Sequence, residues 1–523
     1  MKLANYVSGE WASARDGGEA LIDPVSGSEL ARVSAVGLDY FAALRYSREV
    51  GGAGLRELTY AARATLLGRI ADVLTANRDT YYRISLENSG SPKSDAAIDV
   101  DGAIYTLKYY AKEAATLGEH LYLRDGTATR LGKDESFQAQ HLAHPLRGVA
   151  VLINAFNFPS WGLWEKAAPA LLSGVPVLVK PATVTAWLAQ KMVQDVVQAG
   201  ILPEGALSIV CGRAGNLLDA LIGSDAVAFT GSAATAERIR THRAIARHSA
   251  RINVEADSLN VALLAPDVGT DAPELQLLVA EVVREMTVKA GQKCTAIRRV
   301  LVPAERRDLL IEAIRARLAK VSVGDPRNPE TQMGPLVSKD QQRSVLEGIA
   351  QLATECTLVH GGNFKFEPLG VADPAKAAFV EPTLLAHERP LEARTVHELE
   401  IFGPVATVLP YRSLKEAFEI ARLGQGSLVA SVFTADPEVA ATAVRELGSS
   451  HGRVHVVNAE VGRTQTGHGN VMPMSLHGGP GRAGGGQELG GLRALRCYHQ
   501  FCAIQGPVGW LGALAEQAAP FGG

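Results

Sequence analysis

The sequence predicts an α/β chain built from two parallel-sheet lobes, the first of them doubly wound. Three observations carry this: from Val149 onward short β-branched runs alternate with segments of helical length, the series restarts near Leu259, and 47% of the 523 residues are hydrophobic. Lys and Arg number 52 against 55 Asp and Glu, a formal net charge of −3. A near-neutral chain without a basic stripe is not built to neutralise the phosphates of a nucleic acid, and so much apolar content excludes a disordered chain. At roughly 100–200 residues per domain, the length allows about three structural units.

The N-terminus, Met1-Lys2-Leu3-Ala4-Asn5-Tyr6-Val7, lacks the apolar core of a secretory signal. The longest apolar runs, such as 149–153, fall far short of the ~20 residues that cross a bilayer. A cytoplasmic protein without a membrane partner is expected. Five cysteines, at 211, 294, 356, 497 and 502, are odd in number and lack zinc-like spacing, which fits free thiols in a reducing compartment. In the first lobe residues 149–153, 175–179, 207–210 and 226–230 read as buried strands, with helices at 161–172 and 185–199 between them. In the second, a helix over 274–289 precedes strands at 300–302, 405–409, 428–433 and 453–457. Residues 125–145 and the glycine-rich stretch 478–491 fit neither series and read as excursions or interface arms.

Gly479-Pro480-Gly481-Arg482-Ala483-Gly484 matches G-x-G-x-x-G, but no strand leads into it and no helix opens from it, so it reads as a turn-rich segment. A better phosphate candidate is Phe229-Thr230-Gly231-Ser232, where a strand runs through Gly231 and Ser232 into a helical stretch over 233–246. Gly-Ser is equally an ordinary helix cap. Cys294 follows a long helix amid polar residues and beside Lys293, a setting that suits a reactive thiolate, whereas Cys211 ends an apolar run and reads as structural. Glu255 closes a strand-like run where a loop should begin; a solvated acid is the bland alternative. Asn157 follows the 149–153 strand, at the end of a parallel strand that usually meets ligand, and is otherwise a turn residue before Pro159.

In this order along the chain these pieces resemble the aldehyde dehydrogenase superfamily. The resemblance runs from Val7-Ser8-Gly9-Glu10-Trp11 and Asp23-Pro24-Val25-Ser26-Gly27 through Asn157-Phe158-Pro159, Val179-Lys180-Pro181-Ala182 and Phe229-Thr230-Gly231-Ser232. It continues to Gly291-Gln292-Lys293-Cys294-Thr295 and Glu400-Ile401-Phe402-Gly403-Pro404-Val405. It implies the aldehyde dehydrogenase fold: a Rossmann-like cofactor domain over 1–124 and 146–257, a catalytic domain over 258–477, and an oligomerisation arm and C-terminal segment over 125–145 and 478–523. It further implies Cys294 as nucleophile, Glu255 as general base and Asn157 as oxyanion donor. Phe156, Lys180, Ala182, Thr183, Gly231, Ser232, Glu400 and Phe402 are implied as cofactor contacts, no metal is implied, and a homodimer is expected.

Two departures narrow this. Where many NAD-preferring members carry a glutamate, three residues after the lysine of the Lys-Pro motif, this chain has neutral Thr183; without a carboxylate to repel a 2′-phosphate, NADP is the favoured cofactor and NAD the alternative. The common Glu-Leu-Gly-Gly motif is replaced by Glu255-Ala256-Asp257-Ser258, and a long gap separates it from Cys294. With Leu476-His477-Gly478-Gly479 and Gln487-Glu488-Leu489-Gly490-Gly491, these features resemble the branch that acts in bacterial aerobic aromatic degradation through CoA thioesters. The substrate implied is a CoA-linked semialdehyde, oxidised to its acid. Some members carry a C-terminal hydratase domain; a chain ending at Gly523 matches the stand-alone form better. The rivals are a CoA-acylating dehydrogenase, which the retained Glu255 disfavours, and a non-catalytic binding or structural protein, which Cys294, Glu255 and Asn157 together disfavour.

Overall fold

The computed structural model describes residues 1–362 and 366–521. Its first seven-stranded sheet runs, across the sheet, Arg251–Glu255, Ala226–Thr230, Ala150–Ile153, Val177–Lys180, Leu207–Ile209, Asn5–Val7 and Glu10–Ala12. The first five strands are mutually parallel, while the N-terminal pair is added antiparallel. Successive side chains leave opposite faces of a strand, and both faces here are apolar: Val151, Leu178 and Val227 enter one core, Leu152, Val179 and Ala228 the other. This explains why the runs read as continuous hydrophobic stretches rather than as alternation. The helix Trp161–Leu172, read at those bounds from the sequence, is buried nearly all round, including Glu165 and Lys166.

The second seven-stranded sheet runs Thr357–His360, Thr383–Ala386, Val405–Tyr411, Arg299–Pro303, Val261–Leu264, Ser427–Phe433 and His451–Val457. Only Thr357–His360, at its edge, is antiparallel. Leu263 and Leu301 face one core, Leu264 and Val302 the other.

The helical stretch read over 233–246 is two helices, Ala233–Arg240 and Arg243–His248, because His242 turns extended between them and its ring Nδ1 caps Ala244 N–H at 3.3 Å. Segment 125–145 lies within a hairpin, Leu123–Arg130 with Phe137–Pro145, widened to four strands by His499–Pro507 and Ala519–Phe521. Most of the first strand of that hairpin is exposed, so it carries no burial pattern to read. In the glycine-rich stretch, Leu476–Gly478 pairs with Gln487–Leu489 around a turn at Gly481–Ala483, as a turn-rich segment should. A Cβ at Gly484 or Gly486 would collide with the carbonyl of Val254, so these glycines let one backbone lie on another. Among the described residues no helix is long and apolar enough to cross a membrane.

Candidate active site

The carboxyl ends of the parallel strands in the first sheet deliver most of the candidate residues to one edge. Asn157 follows Ile153, Lys180 ends Val177–Lys180, Gly231 follows Thr230, and Glu255 ends Arg251–Glu255. Cys294 comes from the second lobe, in the turn between the helix Pro273–Thr287 and the strand Arg299–Pro303. That turn is entered through three left-handed residues, Lys289 (φ 53°), Ala290 (φ 51°) and Gly291 (φ 67°). Only the last is a glycine; each of the others stores roughly 1–3 kcal/mol that the surroundings must hold. Asn260 Nδ2 donates to the carbonyls of Cys294 at 2.8 Å and Ala296 at 3.0 Å, and Arg298 donates to those of Gly291 at 3.0 Å, Lys293 at 3.1 Å and Gly403 at 2.7 Å. The Cys294 loop is thus fixed by its backbone.

Lys293 does not face that thiol. Its ammonium donates to Glu285 Oε1 at 2.7 Å, so the basic setting read from the sequence is a correction: adjacent side chains in a tight turn diverge. Burial first, and then the Glu255 carboxylate, push the Cys294 thiol well above its ordinary value. The resting group is a thiol. Glu255 is 2% exposed, and one of its oxygens, the Cys294 sulfur and a ring nitrogen of His477 all lie within 4.8 Å of one another. His477 Nε2 stands 3.1 Å from Glu255 Oε2 but off the line of a hydrogen bond, and all three atoms Oε1, Oε2 and Nε2 lack hydrogen-bond partners among the described residues. Burial pushes the Glu255 carboxyl up; the His477 imidazole and then the Lys166 ammonium outweigh it and hold the carboxyl well below the usual carboxylate range.

Behind Glu255 lies a second buried cluster. Lys166 donates to Glu165 and sits 2.8 Å from Glu488 Oε2, and oxygens of Glu165, Glu255 and Glu488 come within 4.8 Å of one another. His477 and Glu488 are cross-strand partners in the small hairpin, which carries both to Glu255. Sequence reading named none of Asn260, Arg298, His477, Lys166 and Glu488 as site residues. Lys166 and Glu165 were visible only as charges in a helix otherwise too apolar to be a solvated face.

In front of Cys294 lies a cavity of about 440 Å³, lined by Ile98, Tyr105, Phe158, Trp161, Val471 and Met472 among others, with half-exposed Asp101 in its wall. Asn157 and Phe156 line a neighbouring pocket with Lys289 and Gln292, and the Asn157 amide makes no protein hydrogen bond among the described residues. Phe156 and Phe402 pack edge to face at 5.6 Å, with the Arg298 guanidinium 5.6 Å over Phe402. Glu400 is buried beside Arg298 at 3.9 Å with Oε1 unpartnered, and burial pushes its carboxyl up to about 8. Lys180 forms no ion pair among the described residues; its Nζ donates to Pro181 O at 3.0 Å. Ala182 and Thr183 begin the short turn after it, and Thr185 Oγ1 ties that turn to Phe156 O at 3.0 Å. At Gly231 a Cβ would meet the Phe229 ring at 2.6 Å, a steric reason for glycine within the chain itself. Ser232 caps Thr235 N–H, and Asp257 Oδ1 takes the Ala233 N–H at 2.9 Å, so part of this helix N-terminus is already satisfied.

The aldehyde dehydrogenase family pattern matches residues 11–503. The chain is 56% identical over 480 residues, 92% of its length and 93% of the relative's, to the 3,4-dehydroadipyl-CoA semialdehyde dehydrogenase of Aromatoleum evansii. It is 32% identical over 503 residues to a hydroxyisobutyraldehyde dehydrogenase of Mycolicibacterium austroafricanum, covering 95% of this chain and 92% of that one. A betaine aldehyde dehydrogenase of Staphylococcus aureus, solved with NAD+, shares the fold with a TM-score of 0.84 at 22% identity, over 96% of this chain and 95% of that one. The chain belongs to the aldehyde dehydrogenase family, with that family's α/β fold.

Proposed function

We propose that this enzyme oxidises a CoA-linked semialdehyde to its carboxylic acid, with Cys294 as nucleophile, Glu255 as base and NADP as hydride acceptor. The observation that carries the reading is the meeting of the Cys294 thiol and the unpartnered Glu255 carboxylate within 4.8 Å, beside a cavity with a largely apolar lining. The thiol proton passes to Glu255, and the sulfur bonds to the aldehyde carbon. The oxygen of the adduct gains negative charge, and the Asn157 amide and the Cys294 N–H serve as its donors in this reading. A nicotinamide held by Glu400, Phe156 and Phe402 would supply the acceptor for a hydride from that carbon, and Cys294 would then carry the acyl group as a thioester. Glu255 then removes a proton from water as its oxygen attacks the thioester; the C–S bond breaks, and the acid departs. The Glu165–Lys166–Glu488 cluster behind Glu255 can hold the proton between the two uses of the base.

The residues fit a nicotinamide cofactor. The orphaned, buried Oε1 of Glu400 suits ribose hydroxyls, and Phe156 and Phe402 form an apolar wall for the ring. An unpaired Lys180 beside neutral Thr183 supports a 2′-phosphate, hence NADP. The relative from Aromatoleum evansii supports a CoA-linked substrate. A cavity of about 440 Å³ takes the acyl end and leaves the nucleotide of CoA outside. The division of the chain into cofactor-binding, catalytic and arm regions, and assembly as a homodimer, form part of this reading.

The test is NADPH formation with a CoA-linked C6 semialdehyde, run against simple aliphatic and aromatic aldehydes and repeated with NAD. Preference for the CoA substrate and NADP is expected; equal rates with simple aldehydes and NAD would remove both specificities. Formation of an acyl-CoA that depends on added free CoA would replace hydrolysis by acyl transfer.

A further inference from the structure

We propose that Cys294, Glu255 and His477 form a binding site for one zinc ion, and that zinc held there switches the enzyme off reversibly. A thiol, a carboxylate and an imidazole are the donors zinc prefers, and here they come from three separate segments to within 4.8 Å of one another. The His477 Nε2 to Glu255 Oε2 separation of 3.1 Å is close to the ~3.3 Å edge of a tetrahedron with bonds of ~2.0–2.1 Å. Glu255 is 2% and His477 5% exposed, and Oε1, Oε2 and Nε2 have no hydrogen-bond partner among the described residues. Such orphaned lone pairs are costly unless a cation or donor meets them. The neighbouring set of Glu165, Glu255 and Glu488 makes the contrast: there the Lys166 ammonium already fills the space between Glu165 and Glu488. The Cys294 cavity supplies an entry path and room for a fourth ligand, water.

Binding exchanges protons for the metal: the Cys294 S–H bond breaks, the sulfur bonds to zinc, and that proton leaves to solvent together with any carried by the metal-facing nitrogen of His477. The sulfur lone pair and the base are then occupied together, so addition to the aldehyde stops until a chelator removes the ion. The binding rests on geometry alone; the loss of turnover rests on Cys294 being the nucleophile, and the two fail separately.

The full-length protein, stripped of metal, is titrated with Zn²⁺ against a chromogenic chelator, and with Co²⁺ as a spectroscopic substitute. One ion per chain, a strong thiolate-to-cobalt charge-transfer band, and recovery of activity on chelation are expected. Cys294→Ala should lose the band and the ion, while His477→Phe and Glu255→Gln should each weaken zinc by at least about tenfold, as removal of even supporting groups around a metal does. Binding as tight as wild type in both of these variants would mean capture by the thiol alone and would overturn the site. Absence of the charge-transfer band in the wild-type protein would overturn it without recourse to any variant.

Discussion

Glu255 and Glu400 both stand near Cys294 as buried carboxylates, and both raise its thiol pKa, yet their own surroundings drive them in opposite directions. Burial acts on each in the same sense. What differs is the cation. The Arg298 Nε lies 3.9 Å from Glu400, too far for a hydrogen bond, and its charge lowers the carboxyl less than burial raises it, so the carboxyl remains high, at about 8. Glu255 instead has His477 at 3.1 Å and Lys166 behind it, and stays ionised. One cleft therefore holds one carboxyl well below the usual carboxylate range and one well above it. Burial sets the direction unless nearby charges are strong enough to outweigh it.

The sharpest way to break the comparison is to neutralise the ionised member. Glu255→Gln removes the group proposed first to take the thiol proton and then to activate water, so the burst of NADPH should slow and steady-state turnover should fall about 10²–10⁴-fold. Full steady-state turnover would show that another group deprotonates water. Next in size, Lys166→Met removes the cation shared by Glu165 and Glu488, and leaving buried carboxylates uncompensated should cost about 3–5 kcal/mol of stability. Chemical denaturation measures this; a loss under ~1 kcal/mol, the range of a surface pair, would mean the cluster is more solvated than its burial indicates.

The raised member gives a pH signature. A carboxyl at about 8 in the folded protein and near 4.5 when unfolded binds more protons folded, so its contribution is fully present below pH ~4.5 and is lost as pH rises through about 8. Glu400→Gln should therefore flatten the fall in stability of the cofactor-free enzyme between these limits, by on the order of 2–4 kcal/mol. Melting curves of both proteins at pH 5, 7 and 9 that run parallel would remove the difference between the two carboxylates.

How much of this was legible depends on how each residue reaches the site. Parallel strands buried on both faces leave unmistakable apolar runs, so the ends that carry Asn157, Lys180, Gly231 and Glu255 could be placed from the sequence. His477 and Glu488 could not: they stand in a glycine-rich stretch whose glycines answer to Val254 and Ser427, backbone on backbone, with no periodicity. Lys293 shows the opposite failure, a residue next to Cys294 in sequence that points to Glu285. Sequence spacing reports which strand end a residue occupies, but not the direction of a side chain in a turn, nor which distant hairpin completes a charge cluster.

A third carboxylate, placed where the chain has none, extends the comparison to the cofactor. Thr183 opens the turn after Lys180, whose ammonium has no acidic partner among the described residues. In Thr183→Glu the new carboxylate stands three residues from the Lys180 ammonium, at a position that is not fully buried, and should ionise. It would then satisfy Lys180 and repel a 2′-phosphate, while a bare ribose 2′-hydroxyl gains an acceptor. The KM for NADP should rise relative to that for NAD by about tenfold, or ~1.4 kcal/mol. An unchanged ratio would place the 2′ position away from Lys180 and Thr183, and with it would go the charge argument for NADP.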